Sequence, residues 1–169
     1  AVPVQGAFPV GVYYEQNFDD EELGAPPRHW KGAYDYASLL VSNDGANGGR
    51  CVRYEKSKGT GSAYYSCKFP DASGRICAEF DIRCDDKNRY LIGFYLEKDE
   101  DFRQSISTIV HRTNPKSEPT LRLQNESHPY KFGSWVHVKY IIDLPRSLVD
   151  GWVDDISVAA GVRLTQAPK

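Results

Sequence analysis

The chain has 169 residues, 40% hydrophobic and 26% charged, with a formal net charge of -2. That length suits one domain with a sizeable core. The weak negative charge offers no electrostatic footprint for nucleic acid, and no apolar run is long enough to span a membrane as a helix.

Val12 to Asn17 reads as a first strand, and Phe18 to Gly24 then leaves the sheet. Ala25-Pro26-Pro27-Arg28-His29-Trp30 is a rigid connector whose Trp30 is expected to plug one end of the core. Tyr36 to Ser42 is a second strand, and Asn43 to Gly49 is a dense turn signal. Arg50 to Lys56 and Ser62 to Phe69 are predicted to pair as a hairpin about Gly59 and Gly61.

Gly74 to Glu97 carries the clearest pattern in the chain. Ile76, Ala78, Phe80 and Ile82 alternate with Arg75, Cys77, Glu79, Asp81 and Arg83. Tyr90, Ile92, Phe94 and Leu96 alternate with Arg89, Leu91, Gly93, Tyr95 and Glu97. A period of two predicts strands with one buried face. The polar cluster Asp85-Asp86-Lys87-Asn88 between them predicts a turn joining two antiparallel neighbours. Lys98 to Arg103 reads as a charged loop, Ser105 to Arg112 as a β-branched strand, and Thr120 to Gln124 as a short one. Ser127 to Gly133 reads as a turn. Trp135 to Asp143 alternates cleanly, Leu144 to Ser147 breaks it, and Gly151 to Val158 gives a last turn and strand, with Gly151-Trp152 read as a turn carrying a core aromatic and a tail from Gly161. The predicted core is Ile76, Phe80, Ile82, Ile92, Phe94, Leu96, Val136, Val138 and Tyr140.

Many short strands with regular turn signals, and no helical periodicity, predict an all-β, two-sheet antiparallel β-sandwich over residues 1–169. The chain starts at Ala1 and contains no Met, which fits a removed secretory signal or a domain excised from a longer chain. Of the four cysteines, Cys51 and Cys67 lie almost symmetrically about the predicted turn Lys58-Gly59-Thr60-Gly61, where a cross-strand disulfide would fit; buried free thiols are the alternative for all four. Cys77 and Cys84 face opposite ways on one strand and cannot join. No CxxC pair supports zinc. One sequon, Asn125-Glu126-Ser127, matters only in a glycosylating host.

The order of several short motifs resembles the concanavalin A-like, laminin-G-like jelly roll of exported bacterial proteins. These are Phe18-Asp19-Asp20, Gly24 to Trp30, Ala78 to Arg83, Gly133 to Val138, Ile142-Asp143-Leu144 and Trp152 to Ile156. The resemblance implies two curved antiparallel sheets, often with a glycan site on a sheet face or loop edge, in domains that accompany polysaccharide-degrading enzymes. Glycosidases of this fold carry Glu-x-Asp-x-Glu on one strand, which sets three carboxylates on one face. Here Glu79-Phe80-Asp81-Ile82-Arg83 keeps the first two and ends in Arg83, which holds its proton near neutral pH. No catalytic residue is therefore assigned. A lyase base at His137 or His111 has no spacing to single it out.

The exposed face of the central strands is the candidate ligand site. Glu79, Asp81 and Arg83 form a polar floor, and Tyr95, Trp135 and His137 surround it, with Lys139 and Tyr64 as further neighbours by parity. The bland alternative is a ladder of surface ion pairs. Asp19, Asp20, Asp154 and Asp155 form acidic pairs without dedicated calcium-ligand spacing. No cofactor is expected, and structural calcium is the only metal left open. The sequence thus reads as a secreted, non-catalytic module that binds a polysaccharide or glycan. The alternative is a self-assembling structural subunit of an extracellular layer or filament, and a polysaccharide-degrading enzyme ranks behind both.

Overall fold

Val136–Asp143 forms the strand that the alternation of Trp135 to Asp143 predicts. In the computed structural model, Val138, Tyr140 and Ile142 are buried while Lys139 and Ile141 are half-exposed. The structure describes residues 14–32, 35–56, 63–68, 70, 72–85, 90–99, 102–111 and 118–164, without the side chains of 90, 91, 94–99, 102–105 and 111. The chain divides into two compact units, Ala1–Ala72 and Ser73–Lys169.

Among the described residues the first unit holds one hairpin, β1 (Ala37–Ser42) against β2 (Cys51–Lys56). A short 3-10 turn, Ala46–Gly48, lies in the connection. Leu39 and Val41 are buried, and the Tyr65 hydroxyl donates to the Ala37 carbonyl at 2.8 Å. The pairing predicted between Arg50–Lys56 and Ser62–Phe69 is not formed. β2 takes β1 as its partner, and of 63–68 only Ser66 bridges, to Lys31. Residues 57–62, with the Gly59–Gly61 turn, lie outside the described residues. None of the four cysteines is in a disulfide; Cys84 is buried, Cys51 and Cys67 are half-buried and Cys77 is exposed. The described part of the expected first strand, Tyr14–Asn17, has no regular structure. Instead, buried Glu21 organises this segment. Its carboxylate accepts the Arg28 amide at 2.6 Å and the Gln16 amide group at 3.1 Å. Gln16 in turn accepts the Trp30 indole N–H at 3.0 Å, so Trp30 is half-buried on a polar anchor.

The second unit is an all-β sandwich. Its strands are β3 (Arg75–Ile82), β4 (Tyr90–Asp99), β5 (Phe102–His111), β6 (Thr120–Leu123), β7 (Glu126–Pro129), β8 (Val136–Asp143), β9 (Leu148–Val153) and β10 (Ile156–Arg163). They make two four-stranded antiparallel sheets, in the orders β10-β9-β8-β3 and β4-β5-β6-β7. The inner faces meet in one core, with Val138, Tyr140, Val149 and Val153 from the first sheet and Ile106, Val110, Leu121 and Leu123 from the second. The Tyr140 hydroxyl bonds Thr108 Oγ1 at 2.7 Å across this core and donates to the Ser107 carbonyl at 3.1 Å.

β3 and β4 do not pair with each other as predicted. They belong to different sheets, β3 against β8 and β4 against β5. The predicted hairpin between them is therefore not formed, and residues 86–89, which hold most of the predicted turn, lie outside the described residues. Three further boundaries differ. β4 and β5 extend into the predicted Lys98–Arg103 loop. The predicted turn after Ser127 contains β7. The final turn is Asp154-Asp155, not Gly151-Trp152. Both aspartates have positive φ (47° and 66°) in a two-residue connection, the geometry of a type I′ hairpin. Of the predicted core, Ile82, Val138 and Tyr140 are buried, and Ile76, Phe80 and Val136 pack against the core. Ile92 is 37% exposed, because β4 is the outer strand of its sheet. The side chains of Phe94 and Leu96 lie outside the described residues.

Candidate functional site

The pairing of β3 with β8 fixes which polar residues meet. Glu79 lies opposite Lys139 and Asp81 opposite His137. Because Phe80, Ile82, Val138 and Tyr140 turn inward, these four side chains share the outer face. Cross-strand pairs of this kind sit close enough to bond. The Lys139 ammonium is 3.0 Å from Glu79 Oε1, and His137 Nδ1 is 2.9 Å from Asp81 Oδ1. Lys139 holds the Glu79 carboxyl below its usual range, and Glu79 raises Lys139 in return. Burial pushes the neighbouring Cys77 thiol up.

Beyond the strand ends, Arg83 and Trp135 continue the same face. The Arg83 guanidinium lies 5.2 Å from the Trp135 ring centroid. Asp85 fixes the guanidinium plane through two bonds, at 2.8 and 3.2 Å, the bidentate geometry arginine favours. A buried clasp holds both segments. The Cys84 amide donates to the Tyr130 hydroxyl at 2.7 Å, and that hydroxyl donates to the Ser134 carbonyl at 2.9 Å. The Gly133 amide also donates to the Cys84 carbonyl at 2.8 Å. Residues 83 and 135 thus flank a fixed crossing point. Burial raises the Tyr130 hydroxyl above the usual tyrosine range.

β9 adds a side chain the sequence reading assigned to the core. Val149, Gly151 and Val153 turn inward, so half-buried Trp152 turns outward, in register with Lys139. The inward position at 151 suits glycine, since a Cβ there would come within 3.0 Å of Leu123 Cδ1 and 3.2 Å of Tyr140 Cε1. Next to it, Asp154 Oδ1 accepts the His137 amide at 2.8 Å. Placing the turn at Asp154-Asp155 would have exposed this parity in the sequence.

No family model matches the chain, and neither a curated protein nor a solved structure does.

Five of the six candidate residues, Glu79, Asp81, Arg83, Trp135 and His137, therefore lie together on one face. Tyr95 is on a strand of the other sheet, β4, and its side chain lies outside the described residues. Tyr64 is 73% exposed in the first unit. Among the described residues no group of three or more His, Cys, Asp or Glu is arranged to hold a metal ion. Asp20 is instead bound by Arg28, which lowers its carboxyl, while Asp154 and Asp155 form the β9–β10 turn. No helix among the described residues is long and apolar enough to cross a membrane.

Proposed function

We propose that this chain is a secreted, non-catalytic module of concanavalin A-like jelly-roll type that binds carbohydrate through the outer face of β3, β8 and β9. One observation carries the reading. Two outward tryptophans, Trp135 beneath Arg83 and Trp152 in register with Lys139, flank the Asp81–His137 and Glu79–Lys139 pairs. Sugars are heavily hydrated, so each polar exchange with protein contributes little net free energy. Affinity must come from ring faces stacked on aromatics, and specificity from a few well-held polar groups. This face has both kinds of group.

A glycosidase reading lacks support on the same strand. A retaining enzyme needs two carboxyl groups about 5–5.5 Å apart, and Arg83 stands where the second would be. Edge-to-edge assembly is disfavoured at β3. Among the described residues that strand is the edge of its sheet, and it carries outward Arg75, Glu79 and Asp81, which blunt pairing with another chain.

A glycan array with the purified chain tests the proposal, together with its particle size in solution. Retention of a defined glycan by a small, soluble species supports it. Growth into filaments with no glycan retained would replace it with the assembly reading.

A further inference from the structure

The basic side chains of the candidate face already have carboxylate partners. Lys139 is held by Glu79, His137 by Asp81, Arg83 by Asp85 and, more loosely, Arg75 by Asp143 at 3.8 Å. Asp154 adds a further carboxylate against the His137 backbone. A polyanionic chain approaching β8 would meet a neutral to negative field. To gain an ion pair it would have to displace a carboxylate already in place, leaving two anions side by side.

The same pairs suit hydroxyl groups. A hydroxyl donates one hydrogen bond and accepts others. The two pairs present donor and acceptor 3.0 and 2.9 Å apart, and the Lys139–Glu79 pair is not saturated, since an ammonium has three donors and a carboxylate about four acceptor positions. Vicinal hydroxyls of a sugar ring match that pattern without breaking it. The aromatic spacing adds length. Trp152 is in register with Lys139, four positions along the chain from Trp135, or about 13 Å at strand rise. One sugar ring cannot cover both tryptophans.

Building on the carbohydrate reading above, we infer that the ligand is an uncharged polysaccharide chain. It lies along β8 and contacts both Trp135 and Trp152 across the Glu79–Lys139 and Asp81–His137 pairs.

The test titrates the intact chain with neutral polysaccharides (mixed-linkage glucan, xylan, galactomannan) and with polyuronates (alginate, polygalacturonate). Affinities are measured at about 20 mM and about 500 mM NaCl, where screening differs strongly. The expected result is binding to at least one neutral polymer, changing by less than about twofold with salt, and tighter for oligosaccharides than for their monosaccharide. Glu79→Gln, which unpairs Lys139, should raise polyuronate binding at low salt. Binding by the parent to polyuronate alone, falling about tenfold or more with salt, would overturn this inference and leave the carbohydrate reading standing. Binding to neither class would overturn both.

Discussion

The guanidinium of Arg83 and the indole of Trp135 face each other at 5.2 Å across the β3–β8 junction, where the Tyr130 clasp holds both backbones. A cation–π contact at such a half-exposed site contributes about 0.5–1 kcal/mol. Its larger consequence is orientation, because it fixes the ring against which a ligand could stack.

Trp135→Ala and Trp152→Ala are each expected to lower affinity for the bound glycan about tenfold or more, as loss of an aromatic anchor does. Thermal melting of these variants should stay within a few degrees of the parent, since both side chains sit on the wet face. Calorimetric titration beside a melting curve checks both halves.

Tyr130→Phe removes the hydroxyl that serves the Cys84 amide and the Ser134 carbonyl. Leaving buried polar groups unmade costs about 1–3 kcal/mol, to be read from urea unfolding. Affinity should fall as well, because the segment carrying Trp135 loses its anchor. Unchanged stability would mean that the clasp contributes little.

The β8 strand was legible because its alternation is unbroken and both its neighbours are strands of the same sheet. The outer-face parity of Glu79, Asp81, Arg83, Trp135 and His137 was legible for the same reason: a period of two fixes faces without reference to partners. Partners were not legible. Two adjacent alternating runs look the same whether the chain between them turns back or crosses to another layer, so β3 and β4 were paired and Tyr95 was carried to the wrong sheet. Trp152 was missed because Gly151 resembles a turn residue. Its real role is to leave room for Leu123 and Tyr140 inside a strand.

Stability should decline at alkaline pH through Tyr140. Burial pushes its hydroxyl up to about 12, whereas a tyrosine in the unfolded chain ionises near about 10. The unfolded state therefore loses its proton first, and the folded state binds more protons in between. This contribution is whole below about pH 10 and is lost as pH climbs through about 12. Tyr140→Phe should flatten that part of the profile while costing about 1–3 kcal/mol at neutral pH by stranding Thr108. Chemical denaturation across the alkaline range measures both.

The Glu79–Lys139 pair acts with the opposite sign. Its carboxyl is lowered by Lys139, so the stabilisation is present above the ordinary glutamate range and is lost as pH falls through the lowered value. Both side chains are over a third exposed, and solvent screening limits the effect to less than about 1 kcal/mol. Lys139→Met should move the Glu79 titration back up toward the ordinary range, as followed by carboxyl NMR.

Backbone and indole NMR shifts, followed through a titration with a neutral glycan, test most directly the proposed binding on the outer face of β3, β8 and β9. Shifts concentrated at the Trp135 and Trp152 indoles and along Glu79, Asp81, His137 and Lys139 are the predicted result. Shifts that leave both indoles unmoved and gather in β4–β7 or in Ala1–Ala72 would contradict it.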